Sequence, residues 1–303
     1  MKIGVSLLKV RPDEFAAVVP AAEEFGFESV WLGEHLVFTA EMSDSAYPGS
    51  INAEGHRVTV PVRHPSPRMA VFDAAGALCY LAGMTKKIRL GTYVYLLGLR
   101  HPFVAARSFQ TLDYFSGGRA EIGVRVGWLK GEFRSVGLPW SGRGRLLDEA
   151  LEVCKRLWTE DLVEHHGEFF DFEPVAFEPK PVQKPWPPIL VGGETDAALR
   201  RLARHGDGWI AMEHSPETYA RVLPRMRQVL EQAGRDPASV TVTVVGSVAS
   251  PDDLARWAEL GVDRLIVTPW ARDETPLGGM ERFATEIIEP AGATWEPATT
   301  GAA

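Results

Sequence analysis

The chain has 303 residues and is 45% hydrophobic, which is enough for one large buried core. Its net charge is -8, with acids and bases interspersed and no basic stripe, so nucleic acid is excluded as the expected partner. No apolar run approaches the ~18 residues of a membrane span. The opening M-K-I-G-V-S-L-L is too short for a signal h-region and reads as a strand. A reducing cytoplasm is the expected compartment. The two cysteines, Cys79 and Cys154, fall in apolar helical patterns and are expected as buried free thiols.

In chain order, residues 3–8 form a short apolar run of the kind covered on both faces. Residues 11–25 read as a helix, with Pro12 in its first turn, Gly26 at its end and Phe15, Val18, Val19, Ala22 and Phe25 as its buried stripe. Residues 29–32 are the second strand, followed by Gly33, Glu34 and His35. Residues 37–68 carry four prolines and no clear period, the signature of a functional lid or wall. Helix 69–82, strand 88–97 and helix 102–115 follow, and Gly117 and Gly118 stop the last of these.

The fourth strand, 120–128, reads A-E-I-G-V-R-V-G-W and opens into a loop at 129–142. Residues 144–158 are a helix with Leu147, Leu151, Cys154, Leu157 and Trp158 on one face. The polar-aromatic stretch 165–177 suggests a hairpin, and the proline-rich 179–188 a rigid connector. Strands 189–191, 208–212, 240–245 and 264–267 then alternate with helices 196–205, 217–233, 252–260 and 280–289. Eight strands, each followed by a helix, predict a closed (β/α)8 TIM barrel, an α/β fold with insertions after strands 2 and 4. Residues 1–290 are expected as one domain and 291–303 as a tail.

Two strand ends share one design. Gly123 and Gly127 punctuate the fourth strand. Gly192 and Gly193 precede Glu194 and Thr195, where a helix opens, and such a turn can cradle a phosphate through free N–H groups and the helix dipole. The plainer reading is a strand-to-helix turn. His35 follows the second strand at the catalytic face of any such barrel, as a proton donor or as a structural histidine paired with Glu34 or a loop carbonyl. Arg143 and Arg145 flank a glycine before a helix and either reach a phosphate or contact Asp148 or Glu149. Trp128 and Trp209 line the mouth or pack beneath it. The histidines have no H-x-x-x-H or H-E-x-x-H spacing, so no metal site is expected. There is no G-x-S-x-G elbow and no strand-linked G-x-G-x-x-G.

Several ordered segments carry a resemblance: L-D-Y-F-S-G-G-R at 112–119, G-V-R-V-G-W at 123–128, E-F-R-S-V-G at 132–137, R-G-R-L-L-D-E-A at 143–150, P-K-P-V-Q at 179–183, V-G-G at 191–193 and G-D-G-W at 206–209. Through them the chain resembles the luciferase-like monooxygenase superfamily, and within it the F420-dependent oxidoreductases. The resemblance implies coenzyme F420, or FMN as the alternative, bound at the C-terminal mouth of the barrel, a small organic substrate and a homodimer or tetramer. It implies a cofactor site at Thr92, Tyr93, Val94, Arg125, Val126, Gly127, Arg143, Gly192, Gly193, Glu194 and Thr195, with a cis-bonded bulge at 92–94 and His35 as the catalytic candidate. Tyr93 and Arg125 stand where the family usually has glycine. Arg125 either contacts an anionic group or fills the pocket.

The expected activity is hydride transfer between the deazaflavin and an organic substrate. The alternatives are an FMNH2-dependent monooxygenase, a hydrolase using Glu34 and Glu121, and a cofactor-free barrel that serves as a binding or subunit-partner protein. Tyr47, Ile51 and Val60 in the long loop imply a partly apolar ligand.

Overall fold

The computed structural model describes residues 1–45 and 65–293. The expectations for Tyr47, Ile51 and Val60, and for most of the tail, lie outside the described residues. The strands are β1 (Lys2–Ser6), β2 (Ser29–Leu32), β3 (Arg89–Thr92), β4 (Ala120–Val124), β5 (Val163–His166), β6 (Asp171–Val175), β7 (Ile189–Gly192), β8 (Gly208–His214), β9 (Thr241–Gly246) and β10 (Arg264–Val267). Eight of them close a parallel barrel in the order β1-β2-β3-β4-β7-β8-β9-β10, while β5 and β6 form an antiparallel hairpin outside it. The helices are α1 (Phe15–Glu24), α2 (Ala74–Ala82), α3 (Pro102–Ser116), α4 (Lys130–Ser135), α5 (Arg143–Thr159), α6 (Asp196–His205), α7 (Pro216–Gln232), α8 (Pro251–Glu259) and α9 (Pro276–Phe283). The (β/α)8 barrel expected from the sequence is the fold.

Local chemistry explains where the elements start and stop. The side chains of Asp73, Thr195, Ser215, Ser250 and Thr275 accept backbone N–H bonds at the starts of α2, α6, α7, α8 and α9. Gly117, at φ 68°, ends α3 in the left-handed conformation that glycine tolerates. The apolar face read on α5 is buried, including Leu147, Leu151, Cys154, Leu157 and Trp158.

Several boundaries differ from expectation. The helix expected from residue 11 begins as a 3-10 turn, Pro12–Glu14, and Phe25 is only half-buried. The helix expected from residue 69 starts at Ala74, because Asp73 caps it through Gly76 N–H at 2.7 Å. Residues 129–142 include α4. The last helix begins earlier, at Pro276, and relaxes into a π-helical turn, Ala284–Ile288. Both thiols are free, but Cys79 is only partly buried.

The third and fourth strands end early for a shared reason. The Thr92 hydroxyl and the Tyr95 N–H both donate to the Gly123 carbonyl, at 2.9 and 2.7 Å. A Cβ on Gly123 would lie 2.0 Å from the Thr92 carbonyl oxygen, so only glycine admits this close approach. The Tyr93–Val94 peptide within it is cis. Arg125 N–H then donates to the Tyr95 carbonyl, and Gly127 turns away at φ 82°.

The lower barrel is filled. Trp31 is fully buried with Leu190, Ile210 and Ile266, and Gly4 and Gly91 make room for its ring. A Cβ on Gly91 would sit 2.4 Å from that ring. Beneath it Arg264 grips Glu28 and Glu121 through four contacts of 2.7 Å, and Arg89 also pairs with Glu121. Glu121 therefore belongs to a buried charge cluster at the N-terminal end. Glu34 lies past the opposite end of the barrel, after β2, so the two cannot form the carboxylate pair of a hydrolase.

Candidate active site at the barrel mouth

Strands β4 and β7 are parallel neighbours, with Val124 opposite Val191. Their glycine-bearing ends therefore share the C-terminal rim of the barrel. Gly193 adopts φ 113°, donates to the Ile210 carbonyl at 3.3 Å and accepts from Trp209 Nε1 at 2.8 Å. Trp209 is thus buried behind this turn, and does not line the mouth. Thr195 caps α6, its hydroxyl accepting from Ala198 N–H at 3.3 Å.

The Glu194 carboxylate turns back from the rim, accepting from Met212 N–H and facing His214 Nε2, both at 3.0 Å. Burial opposes its ionisation, but His214, the Met212 N–H and nearby Arg125 together hold its pKa below the ordinary carboxylate value.

Arg125 continues the inward row of β4 and reaches across the rim. Its Nη1 lies 3.1 Å from Met212 Sδ. Its Nε would lie 3.7 Å from a Cβ on Gly193, and its Cδ 3.8 Å from one on Gly192. The Tyr93 hydroxyl lies 3.8 Å from the same sulfur. Neither side chain closes the mouth. Both stand in the wall of a cleft of about 590 Å³, with Val94, Gly127, Trp128 and Met212 on the same wall. The lining also includes the apolar side chains of Leu7, Leu8, Val10, Phe15, Met69, Val71 and Phe72, with Lys9 and Arg11 among them.

The other expected cofactor residues are placed as follows. Thr92 is fully buried and its hydroxyl is used by the bulge. Val126 packs against the core beside the rim. Arg143 stacks on Trp140 at 3.6 Å and donates to the carbonyls of Gly127 and Trp140, next to the rim but outside the cleft wall. Burial, and then Arg201, lower its pKa. Arg145 points outward to Glu168, while Asp148 pairs with Arg201 and Arg204, so the expected contacts of Arg145 with Asp148 or Glu149 are replaced.

His35 lines the cleft, with Phe38 at 4.5 Å and the edge of Trp128 at 5.6 Å. Its expected partners, Glu34 or a loop carbonyl, are replaced by Glu132 of α4, whose Oε2 is 2.9 Å from His35 Nδ1. Glu34 is instead held by Nη1 and Nη2 of Arg100, at 2.8 and 2.9 Å, and by Leu96 N–H at 2.8 Å. Burial pushes the Glu34 carboxyl above its usual range despite that grip.

Glu132 and Arg100 are site residues that the sequence reading missed. Glu132 had one signal, its place at the head of the segment E-F-R-S-V-G. No spacing rule reaches the 97 residues back to His35. Among the described residues no cluster of three or more metal-ligating side chains occurs. No helix among them is long and apolar enough to cross a membrane.

A guanidinium at the rim of a largely apolar cleft suits an anionic group there. The turn at Gly193, the start of α6 and the Arg125 guanidinium lie together, and Glu194 is turned aside. Fold and site together define a closed parallel (β/α)8 barrel with a cleft at its C-terminal mouth. The sequence profile of the Luciferase-like monooxygenase family matches residues 1–300, and the chain belongs to that family.

An uncharacterised protein of Mycobacterium tuberculosis is 34% identical over 277 residues, covering 90% of this chain and 93% of its own. A monooxygenase from Streptomyces bottropensis shares the fold at a TM-score of 0.73 with 21% identity, over 96% of this chain and 99% of that one. The coenzyme F420 dependent tetrahydromethanopterin reductase from Methanopyrus kandleri does so at 0.72 with 18% identity, over 95% and 99%.

Proposed function

We propose that the protein is an oxidoreductase that binds coenzyme F420 at the barrel mouth, where a hydride passes between the deazaflavin ring and a small, partly apolar organic substrate. The observation that carries this reading is the meeting of Gly193, the α6 N-terminus and Arg125 at one rim, directly beside an apolar cleft. When bound, the cofactor supplies the hydride chemistry, and the protein supplies position and dryness.

In this reading the turn from Gly192 to Thr195 holds the phosphate arm, with Arg125 adding a charge-assisted contact. Gly127 leaves the other strand end open, and Arg143 braces it through the Gly127 carbonyl. Tyr93 and Val94 back the ring. Phe38, Trp128 and the apolar side chains of Leu7, Val10 and Phe15 exclude water, and His35 exchanges a proton at the substrate oxygen. Exposed Tyr80, Tyr114 and Phe115, on the packed pair α2 and α3, support a homodimer, which light scattering would test.

Fluorescence titration of the purified protein with F420, and separately with FMN, tests the assignment. F420 binding with a dissociation constant on the order of a micromolar is expected. Binding of FMN alone would favour the second reading, a monooxygenase that uses reduced FMN and oxygen, which the fold shared with the Streptomyces bottropensis monooxygenase supports. Binding of neither would favour the cofactor-free alternative.

A further inference from the structure

We infer that Glu132 is a positioning residue that fixes His35 in the Nδ1–H tautomer, so that Nε2 is the atom that exchanges a proton with the ligand. This rests on the reading above only in assigning the cleft to the substrate. The tautomer itself follows from geometry.

Glu132 has no solvent exposure and is buried on α4 together with Gly131 and Phe133. Its two oxygens are divided between two tasks. Oε1 accepts from the Leu36 N–H at 2.6 Å and from the Val37 N–H at 3.4 Å, which pins the segment after β2. Oε2 faces His35 Nδ1 at 2.9 Å.

A carboxylate only accepts, so Nδ1 must carry the proton. In the neutral ring Nε2 then keeps its lone pair. Among the described residues Nε2 has no protein partner, while the ring stands in the cleft wall, fixed between Phe38 and Trp128. A flip of the ring would forfeit its contact with Oε2, while Oε1 keeps the carboxylate itself in place against the segment after β2.

The chemistry balances for an alcohol substrate. The hydroxyl O–H bond breaks and its proton passes to the Nε2 lone pair. The carbon–oxygen double bond forms as the carbon gives its hydride, with the electron pair, to the F420 named above. In the reverse direction the imidazolium returns the proton from Nε2 to the carbonyl oxygen. The other tautomer presents an N–H in the neutral ring and has no lone pair on Nε2 to accept the proton.

The test is a long-range proton–nitrogen NMR spectrum of the 15N-labelled protein without cofactor, with His35 assigned by its loss in His35→Asn. In the neutral wild-type ring, Nδ1 is expected to be pyrrole-like and Nε2 pyridine-like. In Glu132→Gln the amide N–H2 donates to Nδ1, its oxygen still accepts the backbone N–H groups, and the two nitrogens are expected to exchange character. A wild-type ring protonated on Nε2, or a Glu132→Gln spectrum with the wild-type pattern, would overturn the inference. The wild-type spectrum decides even if the variant does not fold. Failure of F420 and FMN to bind would refute the cofactor reading and leave this spectrum unaffected, so the two failures are distinct.

Discussion

Arg264 and Arg125 stand at opposite ends of one barrel and both face inward, yet their settings differ. Arg264 is buried beneath Trp31 and paired on both sides, with Glu28 and Glu121 each meeting it at 2.7 Å. Arg125 crosses the opposite rim beside Gly193 and Met212, in the wall of a cleft. At the lower end charge is matched by charge inside the fold, which specifies packing and closes the barrel. At the upper end Arg125 stands in the wall of an open cleft, and Glu194, whose carboxyl Arg125 helps keep ionised, accepts from Met212 N–H and faces His214. In the proposed reading one end serves stability and the other an anionic ligand.

The sharpest way to break this contrast is Arg264→Leu. It strands Glu28 and Glu121 in the core and should lower unfolding free energy by about 3–5 kcal/mol in urea denaturation, with F420 affinity of the folded protein unchanged. A loss below about 1 kcal/mol would remove the distinction between the ends.

At the mouth, Gly193→Val forces a branched side chain into φ 113° and should cost about 1–3 kcal/mol of stability. It should also weaken F420 binding tenfold or more, equivalent to about 1.4 kcal/mol in a titration. Arg125→Gln should weaken binding by about tenfold while moving the thermal midpoint little, since it removes one charge-assisted contact from an anion.

The smallest expected effect concerns Glu194. Its folded pKa is lowered, so its contribution to stability is present above the unfolded value near 4.3 and fades as pH falls through the folded value. Glu194→Gln should therefore flatten the acid limb of a plot of thermal midpoint against pH. Parallel limbs in the two proteins would refute the assignment.

The eight strands were legible because parallel barrel strands are buried on both faces and read as short apolar runs between glycine and proline breaks. The rim was legible at Gly127 and Gly193 because turns need residues that accept positive φ. The early ends of β3 and β4 were not, since Thr92 stops where it does on account of Gly123 on the neighbouring strand, a contact without a local pattern. Helix α4 was missed because six residues are too few for a helical period to show. The partner of His35 was missed for a similar reason: Glu34 is adjacent in sequence, but Arg100 claims it, and Glu132 arrives from the far side of two strands.

The central claim is that the two glycine-bearing strand ends and Arg125 form an anion site serving a cofactor in the cleft. A side-by-side fluorescence titration of wild type and Gly193→Val with F420 tests it most directly. The account predicts saturable wild-type binding with a dissociation constant on the order of a micromolar and a tenfold or greater weakening in folded Gly193→Val. Equal affinities for the two proteins would contradict it.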